Sequence, residues 1–284
     1  MTDLREIATT PNADEKEHAL VEWLRDRGSV LLGFSGGVDS AYLASVAVEA
    51  VGPDRVLAVI GRSASYPEAQ WRVARDVAQR LGLSVREIDT DEMEDARYVA
   101  NPSNRCYFCK TELWSKLAPL AQEHGFAVVI DGTNADDIGG HRPGMQAARE
   151  HGVRSPLVEV GMTKRDIRER SRARGLPTWA QPSAPCLSSR LQYGLSVTAE
   201  RLRQVERAET ALRELGITGD LRVRHHGELA RVELSREMLA LWLTPIPMRM
   251  IIAAIRAAGF TRVAIDLRGF RSGSLNILNE VTAA

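Results

Sequence analysis

The stretch Val30-Leu31-Leu32-Gly33-Phe34-Ser35-Gly36-Gly37-Val38-Asp39-Ser40 decides how the chain begins to fold. An apolar run suited to a buried strand ends in Ser-Gly-Gly-Val-Asp-Ser, and the helix-forming segment Ala41 to Val51 follows at once. Two glycines at this junction let backbone N–H groups approach an anion closely, and the positive end of the next helix points at the same place. Ser40 is placed to cap that helix, and Asp39 to hold a Mg²⁺ ion bridging phosphates. A Walker loop is excluded, because Gly-x-x-x-x-Gly-Lys-[Ser/Thr] needs a lysine and none is near in sequence. A Gly-rich turn after a strand is common on its own. Ser-Gly-Gly-x-Asp-Ser between a strand and a helix is far more specific, and it makes Ser35, Gly36, Gly37, Asp39 and Ser40 the phosphate-binding residues expected here.

Working outward, strand-like runs alternate with helical ones. A helix is expected over Glu15–Asp26, then strand Val30–Phe34 and helix Ala41–Val51, strand Val56–Ile60 and helix Pro67–Leu81. Strand Val85–Ile88, a helix from about Phe108 to His124 and strand Ala127–Ile130 continue the pattern. Such alternation implies βαβ units and a parallel sheet. Pro67 suits a first helical turn, and Gly82 the C-terminal cap of the same helix. Asp131, Asn134, Asp136 and Asp137 follow a strand end, where open α/β sheets bind ligands. They read equally as a turn-and-cap cluster. Lys164–Arg174 is a further helix with Thr163 as its N-cap, and its charges read as a solvated face.

Three prolines within Pro177–Pro185 mark a loop, and the texture changes beyond about Val197. A charged amphipathic helix (Ala199–Leu215), strands Leu221–Arg224 and Ala230–Leu234, a helix near Met248–Ala258 and strand Arg262–Asp266 suggest a smaller α+β domain. The expected organisation is a nucleotide-binding domain over 1–194 and a second domain over 195–284, for substrate binding or oligomerisation.

Lys+Arg and Asp+Glu both number 37, so the formal charge is zero, which argues against a general nucleic-acid binder. No stretch is apolar and long enough to cross a membrane, and the N-terminus lacks an apolar signal segment. Three cysteines are too few for a disulfide scaffold and point to a reducing cytoplasm. Cys106-Tyr107-Phe108-Cys109 stands just ahead of a helix, and Cys186 lies in the proline-rich loop. Unrelated buried thiols explain Cys186 but not the pair. A redox dithiol lacks its usual surroundings. Zinc needs a fourth ligand, from His124, His141 or His151. A [4Fe–4S] cluster needs only the three thiolates, with one iron left open. On the residues alone, zinc and cluster stand level.

Arg222 and Arg224 lie two apart on a strand, so both project from one face and could clamp a phosphate with bidentate donors. A solvated basic face is the plainer alternative. Arg271 is a weaker phosphate ligand. His225 and His226 point to opposite faces, so only one of them can share a site with the arginines.

The Ser35–Ser40 loop resembles the PP-loop of the ATP pyrophosphatases, whose fold is an adenine nucleotide alpha hydrolase-like parallel sheet. Together with Asn101-Pro102-Ser103-Asn104-Arg105-Cys106-Tyr107-Phe108-Cys109-Lys110 and Pro185-Cys186-Leu187-Ser188-Ser189-Arg190, it resembles the LarE family. Arg222-Val223-Arg224-His225-His226-Gly227-Glu228-Leu229-Ala230-Arg231 and Gly269-Phe270-Arg271-Ser272-Gly273-Ser274-Leu275-Asn276 are similar too, so the likeness covers nearly the whole chain. The resemblance implies an ATP-dependent sulfur transferase of nickel-pincer nucleotide biosynthesis. Its substrate would be a pyridinium bis-carboxylic acid mononucleotide, each carboxylate being adenylated and then converted to a thiocarboxylate. In one branch of the family the cysteine matching Cys186 gives up its own sulfur. In the other, three cysteines hold a [4Fe–4S] cluster whose open iron carries the extra sulfide. Cys106 and Cys109 beside Cys186 place this chain with the second branch, with ATP, Mg²⁺ and the cluster as cofactors and Cys186 as a ligand. A homo-oligomer is expected, with no membrane or nucleic-acid partner; the sulfide donor stays open. A PP-loop tRNA thiolase is the rival reading, and an ammonia-using synthetase of the NAD-synthetase kind would leave the cysteines idle.

Overall fold

A computed structural model describes residues 11–139, 142–182 and 185–271. Helix α1 (Ala13–Arg27) starts at a capping box between Asn12 and Glu15 and ends at Gly28. Then come β1 (Val30–Gly33), α2 (Val38–Val51), β2 (Val56–Arg62), α3 (Glu68–Arg80), β3 (Ser84–Asp89), α4 (Ala96–Val99), α5 (Arg105–Glu123) and β4 (Val128–Ile130). Helices α6 (Pro143–Glu150), α7 (Pro156–Glu159) and α8 (Lys164–Ala173) follow. The chain continues through α9 (Ala199–Glu214), β5 (Leu221–His226), β6 (Leu229–Leu234), α10 (Arg236–Trp242), α11 (Pro245–Ala257) and β7 (Arg262–Ile265).

Strands β3-β2-β1-β4 form an all-parallel sheet in that order. The α/β class expected from the alternation is therefore present. The chain leaves β1 toward β2 on one side and reaches β4 on the other. The carboxyl ends of β1 and β4 thus flank the switch point where such sheets bind ligands. Leu31, Leu32, Val59, Ile60 and Ile130 are fully buried or nearly so, as strands covered on both faces require. Each is worth about 1.5–3 kcal/mol relative to exposure. Helix α2 presses Tyr42, Leu43 and Val46 into the same core.

The second sheet, β5-β6-β7, pairs β5 with β6 antiparallel and β6 with β7 parallel. Helix α9 buries Leu202, Val205, Ala208 and Leu212 against it, on the face its amphipathic pattern foretold. Tyr98, Leu187 and Leu191 join this second core although they precede residue 194.

Several boundaries differ from the sequence reading. Gly37, not Ser40, is the N-cap of α2, and Ser40 Oγ donates back to the Gly37 carbonyl at 3.2 Å. Pro67 is the N-cap of α3 rather than its first helical residue. Helix α5 begins at Arg105, so both cysteines of the pair lie inside its first turns and not ahead of it. Among the described residues no single helix is long and apolar enough to cross a membrane.

Candidate active site

The loop from Ser35 to Ser40 wraps the start of α2. Gly36 has φ 66°, and a Cβ there would lie 2.5 Å from Ala74 on α3. Only glycine fits so close a backbone approach in the left-handed region. The loop is held from outside: Tyr66 Oη and Gln70 Nε2 both donate to the Ser35 carbonyl at 2.9 Å. Opposite, a Cβ on Gly132 would sit 3.0 Å from the Ser40 nitrogen, so the segment after β4 closes on the helix N-terminus.

Asp39 stands at this junction, ion-paired through Oδ2 with Lys164. Its Oδ1 is buried without a hydrogen-bond partner among the described residues. Burial pushes its carboxyl up and the Lys164 ammonium opposes that. An orphaned carboxylate oxygen beside a backbone anion site suits a Mg²⁺ ligand.

Lys164 and Arg168 were missed by the sequence reading, which assigned their helix to solvent. The structure corrects it. Lys164 reaches Asp39, and Arg168 donates to the Trp179 and Gln181 carbonyls at 2.7 and 2.9 Å while lining the same cavity. Arg170 and Arg174 bind Glu17, which also accepts from the buried Tyr42 hydroxyl at 2.8 Å. A signal was available. A lysine at the first position of a helix opposes the macrodipole and needs a compensating anion.

Of the acidic cluster, Asn134 caps a short turn and Asp136 accepts from the Lys164 backbone nitrogen at 2.8 Å. Asp131 accepts from Thr133 Oγ1 at 2.8 Å and from Ser155 Oγ at 2.7 Å, and Asp137 pairs with Arg142. Asp131 and Asp137 also line the cleft, so both readings of this group hold in part.

Cys106 and Cys109 lie three apart on α5, on one face of the helix, and Cys106 opens to the cleft. Cys186 caps the short helix Leu187–Arg190. Its loop is pinned from inside: Arg190 donates to the carbonyls of Pro185 and Cys186 and pairs with Glu209, which also accepts from Val223 N at 3.0 Å. Tyr98 Oη meets Ser188 Oγ at 2.5 Å, tying α4 to this loop. No disulfide joins the three cysteines. They feel one another electrostatically. Burial, then Glu92, then Cys186 push the Cys109 thiol far above its ordinary range. Although Cys106 opens to the cleft, the surrounding protein removes enough water to raise its thiol, and Cys186 adds to this.

Among the described residues no three His, Cys, Asp or Glu side chains gather closely enough for one metal ion. His124, offered as a zinc ligand, contacts Arg86, and His151 ends α6; neither lines the cleft, and His141 lies outside the described residues.

Arg222 and Arg224 project from one face of β5, as expected, but neither is solvated. Arg224 is buried and binds Glu233 through Nε and Nη2 at 3.0 and 2.9 Å, and its Nη1 donates to the Ser189 carbonyl at 3.0 Å. Arg222 lies over the Phe270 ring, and burial, with Arg190 and Arg224 nearby, lowers its guanidinium to about 10. His226 shares the arginine face and meets Gln192; His225 points inward to Gln204 and Phe260. Arg271 Nε is buried without a partner, while Ser272–Asn276 of its block lie outside the described residues.

One cleft of about 1130 Å³ is lined by Ser35, Asp39, Cys106, Arg222, Arg224 and Phe270 together. That exceeds the roughly 300–1,000 Å³ of a site for one small molecule and has room for two ligands.

Over residues 17–107 the chain matches the NAD synthase family model, a stretch that carries the PP-loop. An uncharacterized protein of Synechocystis sp. is 41% identical over 93% of this chain and 97% of its own length. The pyridinium-3,5-bisthiocarboxylic acid mononucleotide synthase of Lactiplantibacillus plantarum is 34% identical over 92% of this chain and 94% of its own. The chain belongs to the LarE family. An uncharacterized protein of Methanocaldococcus jannaschii is 28% identical over 86% of the chain. LarE proteins are PP-loop enzymes related to the NAD synthases. The NAD synthase match ends within the first turns of α5. Cys109, Cys186, Arg222 and Arg224 lie beyond it.

Proposed function

We propose that this LarE-family chain adenylates the carboxylates of a pyridinium bis-carboxylic acid mononucleotide and replaces the adenylate with sulfur. What supports the reading is one shared cleft: the PP-loop, the Cys106 thiol and the Arg222–Arg224 pair all open onto it. A carboxylate is a poor electrophile. Attack of its oxygen on the α-phosphorus of ATP breaks the bond to the β-phosphate, releases pyrophosphate and leaves an acyl-adenylate with AMP as a good leaving group. The N–H groups at the start of α2 would receive the departing pyrophosphate, with Asp39 holding Mg²⁺ and Lys164 and Arg168 balancing charge. A sulfur nucleophile then attacks the acyl carbon and AMP leaves.

Residues 1–194 would supply the nucleotide end and residues 195–284 the clamp for the substrate phosphate, through Arg222 and Arg224. Cys106, Cys109 and Cys186 would hold the [4Fe–4S] cluster. When bound, it supplies an iron left open to an external ligand. A cluster with one open iron asks for three thiolates and no fourth protein ligand, whereas zinc asks for a fourth, and neither His124 nor His151 lines the cleft. We further read the chain as a homo-oligomer of the cytoplasm. A sacrificial role for Cys186 is less favoured, because Cys106 lines the cleft and Cys186 does not.

The test is exchange of radiolabelled pyrophosphate into ATP by anaerobically purified protein, with and without the bis-carboxylate mononucleotide. Exchange that depends on the mononucleotide and drops roughly 100-fold in Asp39→Asn is expected. Exchange without it, or none with it, would overturn the substrate assignment. Iron and acid-labile sulfide near four each per chain are expected for the cluster. Zinc or no metal would reject it.

A further inference from the structure

Arg105 is the first residue of α5, a helix of 19 residues, and is only 5% exposed. A cation at that end opposes the macrodipole, so burial and position both disfavour it. Such an arginine is ordinarily paired with a carboxylate. Among the described residues none lies within ion-pair distance of Arg105, and its buried Nε and Nη1 have no hydrogen-bond acceptor. Its neighbour is Tyr193, whose ring lies 5.0 Å from the guanidinium carbon and which forms a hydrogen bond with it. The other ends of the cleft differ: Lys164 is matched by Asp39 and Arg224 by Glu233.

One turn and a half along α5, Lys110 faces the same cleft. Its ammonium lies over Trp114 at 5.1 Å, and it too has no carboxylate partner among the described residues. Gly144 backs it, since a Cβ there would come 3.1 Å from Lys110 Cγ. Arg142, already paired with Asp137, adds positive potential at the rim. Arg105, Cys106 and Lys110 are thus neighbours on the cleft wall, two cations without a carboxylate partner among the described residues around one thiol, with Cys186 and Cys106 the thiols that can carry negative charge toward Arg105.

We propose that Arg105 and Lys110 form an anion pocket beside Cys106 that takes a carboxylate of the substrate. The inference rests on the mononucleotide reading above and adds where the carboxylate sits. A planar guanidinium with free Nε–H and Nη–H matches a carboxylate in bidentate fashion, and Lys110 supplies a second charge. The pocket thereby brings the group to be thiolated to the wall that carries the sulfur chemistry.

Calorimetry with nicotinate mononucleotide and nicotinamide mononucleotide tests it, because the two differ by a carboxylate against a neutral amide of the same shape. The wild-type protein is expected to prefer the carboxylate by roughly tenfold or more. Lys110→Met and Arg105→Gln should bring that ratio close to one while keeping the amide's affinity; Lys110→Met, on a half-buried side chain, guards against misfolding of the other. Equal binding of both ligands by wild type, or an unchanged ratio in Lys110→Met, overturns the pocket alone. A variant that keeps the ratio but loses ATP affinity assigns these cations to the triphosphate and also overturns it. Failure of wild type to bind either mononucleotide overturns the substrate reading, and the pocket with it.

Discussion

The parallel sheet β3-β2-β1-β4 and the smaller sheet β5-β6-β7 border the same cleft, yet they are buried with different materials. Around β1 the interior is Leu, Val, Ile and Tyr, and the ligand-facing chemistry we propose there lies in backbone N–H groups at the sheet's edge. On β5 and β6 the buried face carries Arg222, Arg224 and Glu233, joined by Arg231 and Asp266. A backbone site depends on the path of the chain. A side-chain site depends on each charge keeping its partner. The first tolerates many core substitutions and few in the loop; the second fails when one ion is removed.

The largest expected effect comes from the charged sheet. Arg224→Ala leaves Glu233, which has no exposed surface, with one guanidinium fewer, and should cost about 3–5 kcal/mol in urea unfolding. A loss below about 1 kcal/mol would show that the two sheets do not differ in this way.

Next is an ionic cluster in the otherwise apolar half. Burial raises the Glu17 carboxyl, but hydrogen bonds from Arg170, Arg174 and Tyr42 overcome that and lower it from 4.5 to about 2. A group depressed in the folded state stabilises above its unfolded value, so this contribution is present above pH 4.5 and fades as pH falls toward 2. It amounts to at most about 3 kcal/mol. Unfolding midpoints at pH 6 and pH 3 should therefore fall further in wild type than in Glu17→Gln. Parallel losses would remove Glu17 from the acid response.

The smallest effect belongs to the backbone site. Gly36→Ala forces a Cβ to within 2.5 Å of Ala74 at positive φ and should cost about 1–3 kcal/mol, with weakened ATP binding. Unchanged ATP affinity would mean that the loop path is not what binds phosphate.

The same contrast governs what could be read beforehand. The strand–loop–helix run is contiguous, so its residues announce the sheet and suggest the anion site proposed above. The thiols were visible because cysteine is scarce here and paired at a helical interval. Lys164 was not, since nothing local links it to Asp39 across the sequence; only the fold of α8 onto α2 does. The spacing of Arg222 and Arg224 gave their common face. Their burial depended on Glu233 and Phe270, whose approach no periodicity encodes. Helix starts slipped by a few residues because Gly37 and Asn104 act as caps without a side-chain bond.

The pinning of the Cys186 loop also bears on how the chain matures. Its restraints come from Arg190 to Glu209 on α9, from Arg224 on β5 to the Ser189 carbonyl, and from Tyr98 to Ser188. Of these partners Tyr98 precedes the cysteine pair in the chain, whereas Glu209 and Arg224 follow Cys186. The place of the third thiol therefore depends on α9 and β5, which follow it in sequence, so a chain truncated before them loses two of the three restraints on the Cys186 loop. Under the cluster reading proposed above, the third thiolate would then be in place only once the smaller sheet has folded against the loop.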